Sequence, residues 1–358
     1  MSLHTYLPQD RLRALTRGET LPSRTSGSAL FADISGFTAL TETLLNAFGS
    51  RQGAEELTKH LDTVYTALVT VVEDSGGSVV GFAGDAITCW FDGLEDSALR
   101  AVRCALALQS AMDAFKSVDL AHEKTTSLSL KVSVATGPAC RFVVGDPAIH
   151  SMDVLAGATV ARTSVADQLA HKGEVLADEA TVHALGDVLA IQEWRSAGSG
   201  ERFARVLDLA AQRISPCPTA HHPALEAEQL RPWVQPTVYE RVSAGRSSFL
   251  TEFRPCAVLF VRFAGIDYDA DNAQARMDAF IRLMQKVAVR YEGSILQLTT
   301  GDKGSYAYLN FGALVAHEDD ARRAVKTALA LRDRTELQLQ MGITQGVLRV
   351  GAYVSRPV

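Results

Sequence analysis

Apolar residues along this chain fall into short unbroken runs and longer periodic stretches. Ala29-Leu30-Phe31-Ala32-Asp33-Ile34 is apolar except for one carboxylate near its end, which predicts a buried strand. Ser35-Gly36-Phe37-Thr38 follows and opens a helical stretch. Leu57, Leu61, Val64, Leu68 and Val72 then recur at three- and four-residue steps, giving a helix one apolar stripe, and Asp74-Ser75-Gly76-Gly77 stops it. Residues 78–82 and 86–91 predict a hairpin around Ala83-Gly84-Asp85. A further amphipathic helix is expected over about 96–115. Leu128, Leu130, Val132 and Val134 alternate with polar residues, so 127–135 reads as a strand with one buried face. Strand and helix fragments continue to about Leu209.

Residues 1–27 read as a polar lead-in, and 28–210 as a first domain. The segment 211–252 differs from both. It carries Pro216, Pro218, Pro223, Pro232 and Pro236, the pair His221-His222 and no sustained apolar period, and so reads as a connector with at most one short helix near 224–231. No Cys, His or Asp partners stand at ligand spacing from the two histidines, which read as solvated linker residues.

After the connector the first pattern returns, over 253–358. Val258–Gly265 repeats Leu30–Gly36 in outline, and Gly301-Asp302 repeats Gly84-Asp85 within another strand pair. A helical pattern over 321–331 and Met341–Gly346 repeat the later helix and Val132–Gly137. The period of about 220 residues is far too long for a solenoid and predicts two homologous α/β domains in tandem. The second copy stops at Val358, and the first copy's residues beyond about 141–146 have no counterpart in it.

Composition narrows the classes. With 358 residues, 47% hydrophobic and 21% charged, the chain is globular and long enough for two cores. A formal net charge of −6 argues against a broad basic face for a nucleic-acid polymer. No window approaches the roughly 20 apolar residues of a membrane span, and Met1-Ser2-Leu3-His4-Thr5 lacks the plan of a secretory signal. Cys89, Cys104, Cys140, Cys217 and Cys256 are scattered, never in C-x-x-C spacing, which points to a reducing cytoplasm and away from a disulfide framework or thiolate zinc site.

Two carboxylates carry the candidate chemistry. Asp33 ends a buried strand, where an unpaired charge is expensive, and Asp85 follows Gly84 at a hairpin tip. On neighbouring strand ends, two aspartates hold Mg²⁺ through hard oxygens. The amides of Ser35–Thr38 at the start of a helix suit a phosphate chain. Together these parts describe a two-metal phosphoryl-transfer site. By spacing alone, Asp33 is equally a helix-capping residue and Asp85 a turn residue. Gly198-Ser199-Gly200 reads as a surface turn, since G-x-x-x-x-G-K-[ST] is absent, and no G-x-S-x-G supports a hydrolase. Trp90 and Trp194 read as residues of packed faces.

The wording around the carboxylates is specific. Phe31-Ala32-Asp33-Ile34-Ser35-Gly36-Phe37-Thr38-Ala39-Leu40-Thr41-Glu42 resembles the first metal-binding motif of the class III nucleotidyl cyclases, and Gly81-Phe82-Ala83-Gly84-Asp85-Ala86 resembles the second. The tandem layout, the long connector and Asp302-Lys303-Gly304 are most similar to soluble, bicarbonate-responsive adenylyl cyclases. The resemblance covers about 28–358. It implies two ferredoxin-like α/β cyclase domains forming a pseudo-symmetric intramolecular dimer, the second truncated, with ATP between them and cyclic AMP and pyrophosphate as products. It further implies two Mg²⁺ or Mn²⁺ ions on Asp33, Asp85 and the Ile34 carbonyl, with Ser35, Gly36, Phe37 and Thr38 holding the triphosphate. One ion would activate the ribose 3′-hydroxyl and the other grip pyrophosphate. Regulatory domains beyond Val358 fit the same layout.

The departures from that pattern are equally informative. Where the second repeat should carry the first aspartate it has Arg262, which has no lone pair for a metal. One intact and one degenerate site are expected, with Arg262 turned into the cleft against Asp302. The adenine-reading lysine of the family corresponds to Gln297, and the chain as given ends before the motif that supplies the family's asparagine and arginine. The lysine and arginine of the bicarbonate-responsive members correspond to Gly81 and to Ser164, with Arg162 close by, so a bicarbonate switch of that kind is not expected. Two rival readings remain: a silent nucleotide-sensing module, favoured by Arg262 and Gln297, and a guanylate cyclase.

Overall fold

The computed structural model describes residues 3–93, 95–116, 118–120, 124–210, 225–245, 252–301 and 304–350. A short 3₁₀ turn, Leu3–Tyr6, precedes α1 (Gln9–Arg17). β1 (Arg24–Ser35), α2 (Phe37–Asp74), β2 (Ser78–Ala83), β3 (Ala86–Asp92) and α3 (Ser97–Met112) follow. β4 (Val118–Leu120) and β5 (Lys124–Thr126) form a small ribbon. β6 (Ser129–Val144), β7 (Met152–Ala156), α4 (Ala158–Leu169), β8 (Val175–Asp178), α5 (Glu179–Leu185), β9 (Leu189–Ser196) and β10 (Arg202–Leu209) complete the first unit. α6 (Ala227–Leu230) and α7 (Pro236–Ser243) belong to the connector. The second unit comprises β11 (Glu252–Ala264), α8 (Ala273–Arg290), β12 (Ser294–Gly301), β13 (Gly304–Phe311), α9 (Asp320–Arg332) and β14 (Gln338–Val350).

The two sheets share a strand order, as a duplication would give. The first sheet runs β2-β3-β1-β6-β8-β10-β9, with β7 also on β6, and the second runs β12-β13-β11-β14. The first four strands of each sheet therefore correspond one to one. Nothing among the described residues of the second unit corresponds to β7–β10, α4 or α5. Register also locates Arg262: Asp33 pairs with Ala86 and Lys131, and Arg262 with Tyr306 and Gln340. Counted from those pairs, β2–β3 closes at Ala83↔Ala86, whereas β12–β13 adds Thr300↔Ser305 and Gly301↔Gly304 before its turn. The second hairpin is thus longer than the alignment of Gly301 with Gly84 implies.

Leu61, Val64, Leu68 and Val72 of α2 pack with α3 against Leu30, Ile87, Leu130 and Val132 of the first sheet, as their helical and alternating periods dictate. A second core crosses between the units. Phe142, Val144 and Val154, from β6 and β7, share it with Met277, Ile281 and Met284 of α8 and with Leu259 and Leu309 of the second sheet. The two units are therefore joined by a common apolar interior.

The described residues of the lead-in and of the connector, 3–27 and 225–245, carry helices and pack on each other, which their polar sequences do not suggest. Leu3, Leu7 and Leu12 bury against Leu230 and Val234. On the opposite flank, Arg11 and Asp10 enter a buried network: Arg11 pairs with Asp153 at 2.7 Å and Arg141 with Asp10 at 3.0 Å. Arg11 also lies 4.5 Å over the Trp233 ring of the connector. Polarity concealed this helix because its buried charges are paired. Trp90 is core, but Trp194 stands at the surface under Arg202, 4.5 Å away.

Candidate active site

Asp33 and Asp85 line one cavity of about 280 Å³. β1 delivers Asp33 at its end, directly opposite Ala86, and the Ile34 amide donates to the Asp85 carbonyl at 3.0 Å, fixing the β2–β3 turn to β1. Tyr65 of α2 secures the same turn, its hydroxyl donating to the Gly84 carbonyl at 2.9 Å. The chain leaves β1 through Gly36, whose φ of 99° and approach to the Ser127 carbonyl oxygen, 2.5 Å from where a Cβ would stand, leave room for no side chain.

The cavity is shared between units. Lys131 of β6 and Thr163, Ser164 and Asp167 of α4 form one wall, and Thr299, Thr300 and Tyr306 of the second sheet face them. β12 is tied across the gap at two points: Gln297 donates from Nε2 to the Phe82 carbonyl at 2.5 Å, and the Thr300 hydroxyl donates to the Leu155 carbonyl.

Lys131 is the residue that the sequence did not single out. Its ammonium lies 2.9 Å from Asp33 and 3.0 Å from Asp167, bridging β1 and α4. Burial works against its charge, but the hydrogen bonds and charges of the two carboxylates prevail and hold its pKa above the ordinary lysine value. The signal for Lys131 was weak: its strand carries a second charge, Arg141, and only the register places the lysine opposite Asp33. Asp167 left none, because its partner comes from a strand remote in sequence.

The remaining expected residues are placed less centrally. Ser35 ends β1, Gly36 caps α2, and Phe37 and Thr38 begin it, but none of the four is among the cavity's lining residues; Phe37 packs on the main core and Thr38 is exposed. Gln297 does not line it either, its amide being engaged by Phe82 and by Thr299 at 3.0 Å. Arg262 is exposed and donates to Gln340 at 3.1 Å, not enclosed in a cleft: Val261 and Phe263 beside it enter the core as Ala32 and Ile34 do beside Asp33, but the described residues of the second unit have no counterpart of α4 to wall off that face. Asp302, its expected partner, lies outside the described residues. Arg162 pairs with Asp178 at 2.7 Å, and the Ser164 hydroxyl donates to the Val160 carbonyl at 3.4 Å, so neither presents a cation to the cavity.

Residues 22–198 match the family model of the adenylate and guanylate cyclase catalytic domain. The chain contains a class III nucleotidyl cyclase domain. Human adenylate cyclase type 10 is 23% identical over 317 residues, 80% of this chain and 19% of that protein. The rat adenylate cyclase type 10 is 30% identical over 169 residues, 44% of this chain and 10% of its own length. Human atrial natriuretic peptide receptor 2 is 30% identical over 150 residues, 40% of this chain and 13% of that receptor. The chain thus spans a fifth or less of these relatives. Among solved structures, the adenylyl cyclase CyaB from P. aeruginosa is 21% identical with a TM-score of 0.45, covering 53% of this chain and 96% of that one. The guanylyl cyclase Cya2 is 22% identical with a TM-score of 0.44, covering 52% and 94%.

In this cyclase domain the donor chemistry suits a divalent cation. Two hard carboxylates line one cavity, and a protein ammonium already sits on Asp33 in the manner of a stand-in cation. Among the described residues no three His, Cys, Asp or Glu side chains converge as a closed metal centre. An ion held here would complete its shell with a backbone carbonyl, substrate oxygens and water, as Mg²⁺ commonly does. Among the same residues no helix is long and apolar enough to cross a membrane.

Proposed function

We propose that this chain is the catalytic region of an adenylate cyclase, converting ATP to cyclic AMP and pyrophosphate in the cavity between its two units. The observation that carries this reading is the joint lining of that cavity by Asp33 and Asp85 from one unit and Thr299, Thr300 and Tyr306 from the other. Asp33 and Asp85, with the Ile34 carbonyl, would hold the divalent ions, Mg²⁺ or Mn²⁺. Such ions supply charge neutralisation at the transferring phosphoryl group and a lowered pKa for the attacking hydroxyl. The amides from Ser35 to Thr38, at the start of a helix with no side-chain cap, suit the triphosphate. The second unit excludes water from the reacting centre and fixes the approach of the ribose. Similarity to adenylate cyclase type 10 over 80% of the chain supports ATP as the substrate.

A silent nucleotide-sensing module is the second reading, favoured by one observation: the Gln297 amide is committed to Phe82 and Thr299. One assay separates the readings. Cyclic AMP and cyclic GMP formation is measured from ATP and GTP, with Mg²⁺ and Mn²⁺, beside Asp33→Ala and Asp85→Ala. Metal-dependent cyclic AMP formation, reduced at least about 100-fold by either substitution, is the expected result. Preferential cyclic GMP formation would make the chain a guanylate cyclase. Nucleotide binding without turnover would establish the sensing module.

A further inference from the structure

The cavity contains a cation of its own. Lys131 stands across from Asp33 in the β1–β6 register, and α4 brings Asp167 to its other side. The Lys131, Asp33 and Asp167 side chains are only 18%, 23% and 15% exposed, so their charges act on one another with weak screening. A divalent ion on the Asp33 carboxylate and the Lys131 ammonium at 2.9 Å from it would occupy the same space with like charge. The second carboxylate offers the ammonium an alternative contact on the same cavity wall.

We propose that Lys131 is a resident counter-cation which a divalent ion must displace from Asp33, and that Asp167 is a positioning residue which retains the displaced ammonium. This rests on the reading of Asp33 and Asp85 as the metal carboxylates. In the metal-free protein the ammonium neutralises Asp33 and keeps the two strands and α4 together. When an ion arrives, Lys131 gives up one of two carboxylates instead of its only one. Metal affinity is thereby set by a competition internal to the chain, and Asp167 decides how strongly Lys131 competes.

The two residues should then affect metal binding with opposite signs. Mn²⁺ binding to the full chain, without nucleotide, is measured from the electron paramagnetic resonance signal of free Mn²⁺. Lys131→Met should tighten binding by about tenfold, the scale of one partly buried charge. Asp167→Asn should weaken it severalfold, because Lys131 is left with Asp33 alone. The double variant should bind like Lys131→Met, since Asp167 acts only through the lysine. If Lys131→Met does not fold, as judged by thermal unfolding, Lys131→Gln serves the same purpose. Unchanged or weaker binding without the lysine overturns the proposal. So does an equal weakening by Asp167→Asn in both backgrounds, which would make Asp167 a direct ligand. Asp33→Ala separates the two levels of the argument. Mn²⁺ binding that does not depend on Asp33 removes the metal reading itself, and this inference with it.

Discussion

The side-chain amide of Gln297 donates to the backbone carbonyl of Phe82 at 2.5 Å, joining a strand of the second unit to one of the first. A position that the family resemblance assigns to base reading serves here as a joint. Gln297→Ala should therefore lower stability by about 0.5–1.5 kcal/mol, the usual net worth of one such hydrogen bond. The ratio of ATP to GTP turnover should change less than about twofold, well under the 1.4 kcal/mol that a tenfold preference requires. Thermal unfolding and paired turnover assays test this. A large swing in nucleotide preference would return Gln297 to the base.

His150 governs stability in mild acid. Burial pushes its pKa down to about 4, against the contrary influence of the Trp233 carbonyl. The Ile295 carbonyl, 2.6 Å from Gln235 Nε2, identifies that end of the amide as the donor, so Nδ1 of His150 accepts from it at 3.0 Å. Nε2 then donates to the Trp233 carbonyl at 3.2 Å, and the ring is neutral. Because the folded pKa lies below the ordinary 6.5, the unfolded chain binds the extra proton first. Stability is full above pH 6.5 and falls, by on the order of 2 kcal/mol, as pH drops toward 4. Denaturant titrations across that window should show this slope in the native protein and not in His150→Asn.

Glu174 acts in stronger acid. Hydrogen bonding to Arg195, at 2.6 Å, outweighs burial and holds its carboxyl at about 2, with the His171 amide and Arg205 assisting. A depressed carboxylate stabilises above its unfolded value of 4.5 and loses that contribution as pH falls toward 2. Allowing for solvent screening, about 1–2 kcal/mol is involved. Glu174→Gln should lower the unfolding temperature at neutral pH and leave a shallower acid limb below pH 4.5.

Arg262→Ala should cost less than about 1 kcal/mol, since its guanidinium is exposed and its contact with Gln340 is a surface one. Chemical denaturation provides the measurement. A loss of several kcal/mol would show that this cation is enclosed.

The apolar patterns foretold β1, the second half of α2, the β2–β3 hairpin and α3, and in the second unit β11, the β12–β13 pair, α9 and β14, but not α8. They also singled out Asp33, a carboxylate near the end of an apolar strand, and Asp85, at the tip of a hairpin; both line one cavity. The charged contacts were not legible. Arg11, Asp10, Arg141 and Asp153 come from three elements, and each is polar to any one-dimensional reading until its partner is known. Lys131 and Asp167 failed for the same reason. For Arg262 the match to Asp33 fixes a register and a pleat but not what covers the position, and α4, which walls the cavity at Asp33, has no counterpart among the described residues of the second unit.

The apolar interior shared by β6, β7 and α8 gives the chain a thermodynamic signature. Phe142, Val144 and Val154 are at once sheet residues of one unit and lining of the other's core, so the first unit cannot melt without exposing Met277, Ile281 and Met284 to water, nor the second without exposing Phe142, Val144 and Val154. The tandem should behave as a single cooperative block. Calorimetry should give one endotherm whose van't Hoff and calorimetric enthalpies agree, in place of two resolved peaks. Any ligand gripped by one half would then raise the melting temperature of both.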